Sequence, residues 1–235
     1  MTDWARSDVP IVFEDQHLFV IEKPPGLVVH PAPGHSDATL AELFAEQLEG
    51  GPDTGRRGIV HRLDRGTSGL MLMTRSEAAH SELQRAIQER RLERKYLALV
   101  GGIPKTRAGR IEAPIGRSPK ERHRMAVNGA GSRNATTHFE VIESLPGASL
   151  VEARLETGRT HQIRVHMASV GHPLAGDETY GGERLPGLER PFLHSASLAF
   201  AHPVSGEELQ FESPLPEDLS AALQRVRGHE LDGSG

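Results

Sequence analysis

The chain has no cysteine, which excludes disulfides, thiolate metal sites and cysteine nucleophiles and fits a reducing compartment. Aromatic residues make up only 4% of the sequence, so Leu, Val, Ile and Ala must do most of the packing. No apolar run approaches the roughly 18 residues of a membrane-spanning helix. The opening Met-Thr-Asp-Trp-Ala-Arg lacks the apolar segment of a secretory leader, and cytoplasm is the expected location. Repeats and low-complexity segments are absent as well. What is present is enough for a real core: 235 residues with 37% hydrophobic content, expected to form one domain over 1–235.

The net charge of −5 argues weakly against a polyanionic partner, but its distribution argues for one. Residues 1–50 hold two Lys/Arg against nine Asp/Glu, and residues 205–235 hold two against seven. Residues 85–124 reverse this, with twelve Lys/Arg against four Asp/Glu. Arg85 to Lys95 alone reads as a solvated helix face. The basic run continues through Arg117, Lys120, Arg122 and Arg124 over non-helical sequence, which points to a nucleic-acid surface.

Most of the chemistry is concentrated in the stretch from Gly58 to Thr74. Ile59, Val60 and Leu63 read as an incoming strand, and Leu70 to Met73 as a buried outgoing one. Between them, Arg62 to Gly69 hold one carboxylate, two arginines, two hydroxyls and two glycines, more than a hairpin turn requires. The plain structural alternative makes Asp64 an Asx-turn residue, with Thr67 and Ser68 bonding the local backbone.

Elsewhere the pattern predicts short strands in hairpin order and a few helices, hence an α+β class without βαβ alternation. Strands are expected at Ile11–Phe13, Leu18–Ile21, Lys95–Val100, Ala135–Ile142, Leu150–Leu155, Phe192–Phe200 and Leu209–Phe211. Helices are expected over Thr39–Leu48, from Ser76 as N-cap to near Arg91, and over Pro216–Val226. A further helix should start at Thr160 and face Ile163, Met167 and Val170 inward. His161 and His166 are five residues apart and do not share a helix face as a zinc pair would, so no metal is expected.

His61-Arg62-Leu63-Asp64, two variable residues, Thr67-Ser68-Gly69 and the apolar run after them resemble the catalytic-aspartate motif of the RluA-type pseudouridine synthases. Arg94-Lys95-Tyr96-Leu97-Ala98-Leu99-Val100 is similar to that family's second motif. Thr157-Gly158-Arg159-Thr160-His161-Gln162-Ile163-Arg164-Val165-His166 is similar to its third. The Lys23-Pro24-Pro25-Gly26 element and the tail from Gly171 to Gly182 extend the likeness over about residues 10–220. The chain resembles the short form, with no extra RNA-binding domain expected ahead of Ile11.

The resemblance implies a single catalytic domain on a mixed, mostly antiparallel sheet with flanking helices and a central cleft. It implies isomerisation of a uridine in structured ribosomal or transfer RNA to pseudouridine. The target nucleotide must leave the stack before its base atoms can be reached. Asp64 would be nucleophile or base, Tyr96 would stack on the uracil, Arg164 would pair with Asp64 and keep it ionised, and Ile163 would pack beneath the base. Arg62 would fill the vacated gap or hold a phosphate, and His61, Thr67, Ser68, Gly158, Arg159, His161 and Gln162 complete the expected substrate-binding set. No cofactor is implied, RNA is the expected partner, and a monomer is expected. Three rivals stand beside this reading. A non-catalytic RNA-binding protein on the same fold would explain the basic middle but not the Asp64 motif. A glycoside hydrolase needs two carboxylates flanking the bond. A hydrolase using Ser68 or Ser195 lacks an evident base.

Overall fold

In the computed structural model, residues 4–31, 37–51, 54–121 and 124–228 are described. Arg122 and the expected Pro33-Gly34 turn lie outside them. The first half runs β1 (Ile11–Glu14), β2 (Leu18–Lys23), α1 (Leu40–Leu43), β3 (Ser68–Thr74), α2 (Glu77–Gln88) and β4 (Glu93–Gly101). Four short strands follow: β5 (Ala108–Glu112), β6 (Ile115–Arg117), β7 (Met125–Val127) and β8 (Ala130–Arg133). The chain closes with β9 (Thr136–Leu145), β10 (Ala148–Leu155), α3 (Gln162–Ser169), β11 (Leu193–Ala201), β12 (Glu208–Glu212) and α4 (Glu217–Gly228). Hairpin-linked antiparallel strands with a few helices make this an α+β fold, as expected. Among the described residues, no helix is long and apolar enough to cross a membrane.

The chain divides into two units, Met1–Arg94 with Ser195–Ser213 and Lys95–His194 with Pro214–Gly235. In the first, the strand order is β1-β2-β3-β11, with β12 paired to β11. All seven residues of β3 are buried, which is why its sequence is a continuous apolar run rather than an alternation. Leu18 and Val20 of β2, Leu70 and Leu72 of β3, Leu83 and Ala86 of α2, and Leu198 and Phe200 of β11 form one core. Ser76 caps α2 as expected, its hydroxyl accepting the Ala79 N–H at 3.2 Å.

Two expectations in this unit fail. The helix expected over Thr39–Leu48 is a single turn, α1, followed by looser turns. Leu40, Phe44 and Leu48 are still buried, so the apolar spacing is met without a continuing helix. The chain leaves the helical path because Glu49 bridges to Arg75, its carbonyl takes the Thr74 hydroxyl, and Gly50 turns with φ +99°. The incoming strand before Asp64 is also missing, with a lone bridge between Ile59 and Met73 in its place. Here a side chain takes the role of a strand backbone: the Leu72 amide donates to the His61 ring at 3.0 Å.

The second unit orders its main strands β4-β10-β9-β5 and carries a separate three-stranded sheet, β7-β6-β8. The β9–β10 hairpin turns at Gly147, with φ +68°. Leu99, Leu145, Leu150, Phe192 and the inner face of α4, Leu219, Leu223 and Val226, form its core. Asp218 in the first turn of α4 receives the Arg190 guanidinium at 2.6 and 2.9 Å. Val170, expected inward, is 45% exposed because α3 ends one residue earlier and Val170 is already its C-cap.

One polar lock joins two hairpins of the first unit. His202, after β11, donates through Nε2 to Asp15 at 2.8 Å, while its Nδ1 accepts the Ser205 N–H at 3.0 Å. Asp15 also accepts the amides of His17 and Leu18. Burial pushes its carboxyl up, but these amides and His202 outweigh burial and hold it below 3.8. Asp15→Ala should therefore cost about 1–3 kcal/mol near neutrality. A carboxyl lowered by folding stabilises fully above its unfolded pKa and loses that effect as pH falls through the folded one. The stability gap between wild type and Asp15→Ala in urea should thus be full above the ordinary carboxylate range and narrow as pH falls through and below it. A gap independent of pH would remove the carboxylate from the lock.

Candidate active site

In the first unit the Asp64 loop is held from below by buried groups and opens outward through charged ones. Val60, His61 and Leu63 are buried, Arg62 and Arg65 are exposed, and Asp64 is half-buried. The Asp64 carbonyl accepts the Thr67 N–H at 3.0 Å, closing the turn ahead of β3. Thr67 and Ser68 are each 3% exposed, so they sit in the floor of the loop.

Two anchors fix this loop. Lys23 is fully buried, and its ammonium donates to the carbonyls of Pro24 at 2.7 Å, Leu27 at 2.9 Å and Arg65 at 3.3 Å. A cation buried among carbonyls is stable only while those acceptors converge, so Lys23 ties the loop to the Lys-Pro-Pro-Gly segment. Reciprocal contacts with Gly26 reinforce the tie, with the Gly26 N–H on the Arg65 carbonyl at 2.7 Å. The second anchor is His61, whose Nε2 accepts from Leu72, which puts the ring proton on Nδ1. Burial, with nearby Arg94 adding to it, holds its pKa down to about 3, so the imidazole is neutral at physiological pH. Arg62 projects beside His30, 3.4 Å from its ring.

In the second unit, Tyr96 lies on β4 opposite Ala153 and is 4% exposed. The third motif is organised by Gln162. Its amide oxygen accepts from the Thr157 hydroxyl at 2.7 Å and the Arg159 N–H at 3.0 Å. Its amide nitrogen donates to the Thr136 carbonyl and the Thr137 hydroxyl. Gln162 thus shapes the exposed Gly158 turn, while Arg159 reaches back to the Asn134 carbonyl at 3.0 Å. His166, fully buried, bridges the Thr137 hydroxyl and the Ala113 carbonyl.

The N-cap of α3 is His161 rather than Thr160, and it is left-handed with φ +56° and ψ +23°. That conformation costs a non-glycine residue about 1–2 kcal/mol, so other contacts must hold it. Its Nδ1 lies 2.8 Å from the Tyr180 hydroxyl, and the two rings meet edge to face. Ile163 is 3% exposed. Arg164 is 7% exposed and meets Asp177 as a two-pronged fork, Nε at 2.7 Å and the second nitrogen at 2.8 Å. Its guanidinium also lies 5.0 Å from the centre of the Tyr180 ring. Asp177 is 1% exposed.

Arg117 and Lys120 are exposed on and beside β6. Arg124 pairs with Glu121 at 2.6 Å and lies over Tyr180 at 5.6 Å. Sequence reasoning missed Lys23, Asp177 and Tyr180 as site residues. The available signal was their place in the Lys23-Pro24-Pro25-Gly26 and Gly176-Asp177-Glu178-Thr179-Tyr180-Gly181 segments, where charged or aromatic residues sit tightly between turn residues.

A family model described as RNA pseudouridylate synthase matches residues 17–169. The chain belongs to this family. The likeness extends beyond the matched segment. An uncharacterized RNA pseudouridine synthase of Bacillus subtilis, YlyB, is 46% identical over 223 residues, covering 94% of this chain and 73% of that protein. A ribosomal large subunit pseudouridine synthase D of Zymomonas mobilis is 43% identical over 236 residues, covering 94% and 74%. Among solved structures, human RNA pseudouridylate synthase domain containing 1 superposes with a TM-score of 0.70 at 28% identity, covering 94% of this chain and 90% of that one. The chain is thus an RNA pseudouridine synthase, an isomerase.

In this synthase the Arg164–Asp177 pair is testable apart from activity. Arg164→Met leaves a nearly inaccessible carboxylate without its cation and should cost about 3–5 kcal/mol in urea unfolding. Replacing both residues, as Arg164→Met with Asp177→Leu, should recover part of that loss, because no buried charge is left unpaired. Additive losses in the double variant would contradict the pairing.

Proposed function

We propose that this synthase isomerises a uridine in large-subunit ribosomal RNA, with Asp64 as the catalytic carboxylate. The observation that carries this reading is the Asp64 loop itself: a half-buried carboxylate on a turn whose neighbours are buried, anchored by Lys23 and His61, and flanked by outward Arg62 and Arg65. The names of the Zymomonas mobilis protein and of a Pseudomonas aeruginosa relative 42% identical over 240 residues support the choice of RNA.

The reaction breaks the ribose C1′ to uracil N1 bond and forms the C1′ to C5 bond. N1 gains a proton and C5 loses one, so atoms and electrons balance without an outside oxidant or reductant. Asp64 acts as nucleophile or base, Tyr96 stacks on the uracil and serves the proton lost from C5, and Arg164 acts on the same reaction. Ile163 packs under the base, and Arg62 takes the gap left by the flipped nucleotide or grips its phosphate. His161, Arg159 and the Gly158 turn meet the RNA, with Gln162, His61, Thr67 and Ser68 shaping the surfaces that do so. The basic sheet β6–β8 gives sequence-independent affinity through phosphates.

Two measurements check this reading. Asp64→Asn should fold and bind RNA but produce no pseudouridine, and turnover above background by the purified variant would take Asp64 out of the mechanism. Reversing the charges of Arg117 and Lys120 together should weaken RNA binding and flatten its salt dependence. Every phosphate that the sheet no longer neutralises should reduce the log–log slope by about 0.7–0.9. An unaltered slope would make this sheet a solvated surface only.

A further inference from the structure

The Tyr180 hydroxyl is placed where two parts of the second unit meet. It accepts the Met125 N–H at 2.9 Å, at the first residue of β7 in the small basic sheet. It also bonds His161 Nδ1 at 2.8 Å, at the left-handed residue that opens α3. Two guanidiniums lie over the ring of Tyr180, Arg164 from α3 at 5.0 Å and Arg124 from the loop entering β7 at 5.6 Å. Its apolar body packs, with Met125 and Val127 of β7, against the cluster of Ile115 from β6, Ala135 just before β9 and Val165 from α3. Tyr180 is itself held in place: Asp177, just before its 3-10 turn, binds Arg164, and the Tyr180 amide donates to the Asp177 carbonyl at 3.0 Å. The small sheet in turn is tight, since a Cβ on Gly116 would lie 2.6 Å from the Gly129 and Ala130 carbonyls. Displacing β7 therefore displaces the partner of the Tyr180 hydroxyl.

We propose that Tyr180 is a positioning residue that couples RNA held on the β6–β8 sheet to the placement of His161 and Arg164. The inference rests on the pseudouridine synthase reading and deepens it. Phosphates gripped by the sheet fix β7, the Met125 amide fixes the Tyr180 hydroxyl, and the hydroxyl fixes the left-handed turn at His161. Arg164 lies on the following turn of the same helix and rests on the same ring. RNA docking and assembly of the third motif thus become one event rather than two.

The test is Tyr180→Phe, which deletes the hydroxyl and keeps the ring that Arg124 and Arg164 rest on. Its fold is checked by circular dichroism and urea midpoint, and RNA affinity is measured separately from single-turnover rate at saturating RNA. The expected result is near wild-type affinity with a rate lowered roughly 10- to 100-fold, as for a mispositioned group. A purely structural role would lower stability and leave the rate of the folded fraction unchanged, which would overturn the proposal, as would a loss confined to affinity. A second arm does not depend on turnover. An RNA duplex without uridine is added to wild type and to Tyr180→Phe while the backbone amide signals of Val165 and Met167, buried on α3 and away from the RNA, are followed by NMR. The signals should move in wild type and stay in place in the variant. Equal movement in both would overturn the coupling. Absence of pseudouridine formation by wild type, with the NMR difference intact, would instead fail the reading of the function alone.

Discussion

The two-pronged bond between Arg164 and Asp177 is the constraint around which the third motif is arranged. Both side chains are almost inaccessible to water, and a buried charge without its counter-charge is costly enough to unfold a marginal protein. The pair therefore dictates that α3 and the Gly176–Tyr180 segment stay together. Tyr180 follows from that placement, since its ring lies against the Arg164 guanidinium and its hydroxyl reaches His161 and Met125. Glycine does the rest: a Cβ at Gly182 would fall 1.8 Å from the Leu174 carbonyl, so only glycine permits the chain to close behind the pair.

In the first unit the same problem, holding a polar loop rigid over an apolar core, is solved differently. Lys23 gathers the carbonyls of Pro24, Leu27 and Arg65, and a neutral histidine takes the place of a strand backbone under β3. Both devices restrict the Asp64 loop. With Asp64 as the proposed catalytic carboxylate, that loop needs to be fixed before RNA arrives, because ordering it later would subtract from binding.

Much of this was legible in the sequence. The continuous apolar run of β3, the Ser76 cap, the inward stripe of α4 and the density of polar residues around Asp64 each follow from local rules. What was not legible depended on partners distant in the chain. The Thr39–Leu48 spacing suits a helix, but Thr74 and Arg75 draw Glu49 away after one turn. Ile59 to Leu63 look like a strand, yet a side chain takes the amide that a strand would have used. Nothing in a sequence marks His161 as left-handed, because tertiary contacts, that with Tyr180 among them, hold that conformation. Asp177 and Tyr180 were hidden for the same reason: their roles lie in what they touch thirteen and nineteen residues away.

The central claim is that this scaffold exists to detach, turn and reattach a uracil without releasing it. The most direct measurement uses large-subunit ribosomal RNA carrying tritium at uridine C5, incubated with the purified protein alone. Isomerisation exchanges that tritium into water, so release should rise to a whole-number ratio to RNA, with pseudouridine formed in equal amount and no free uracil. Release of uracil would make the protein a glycosidase, and retention of all tritium by every RNA offered would contradict the account outright.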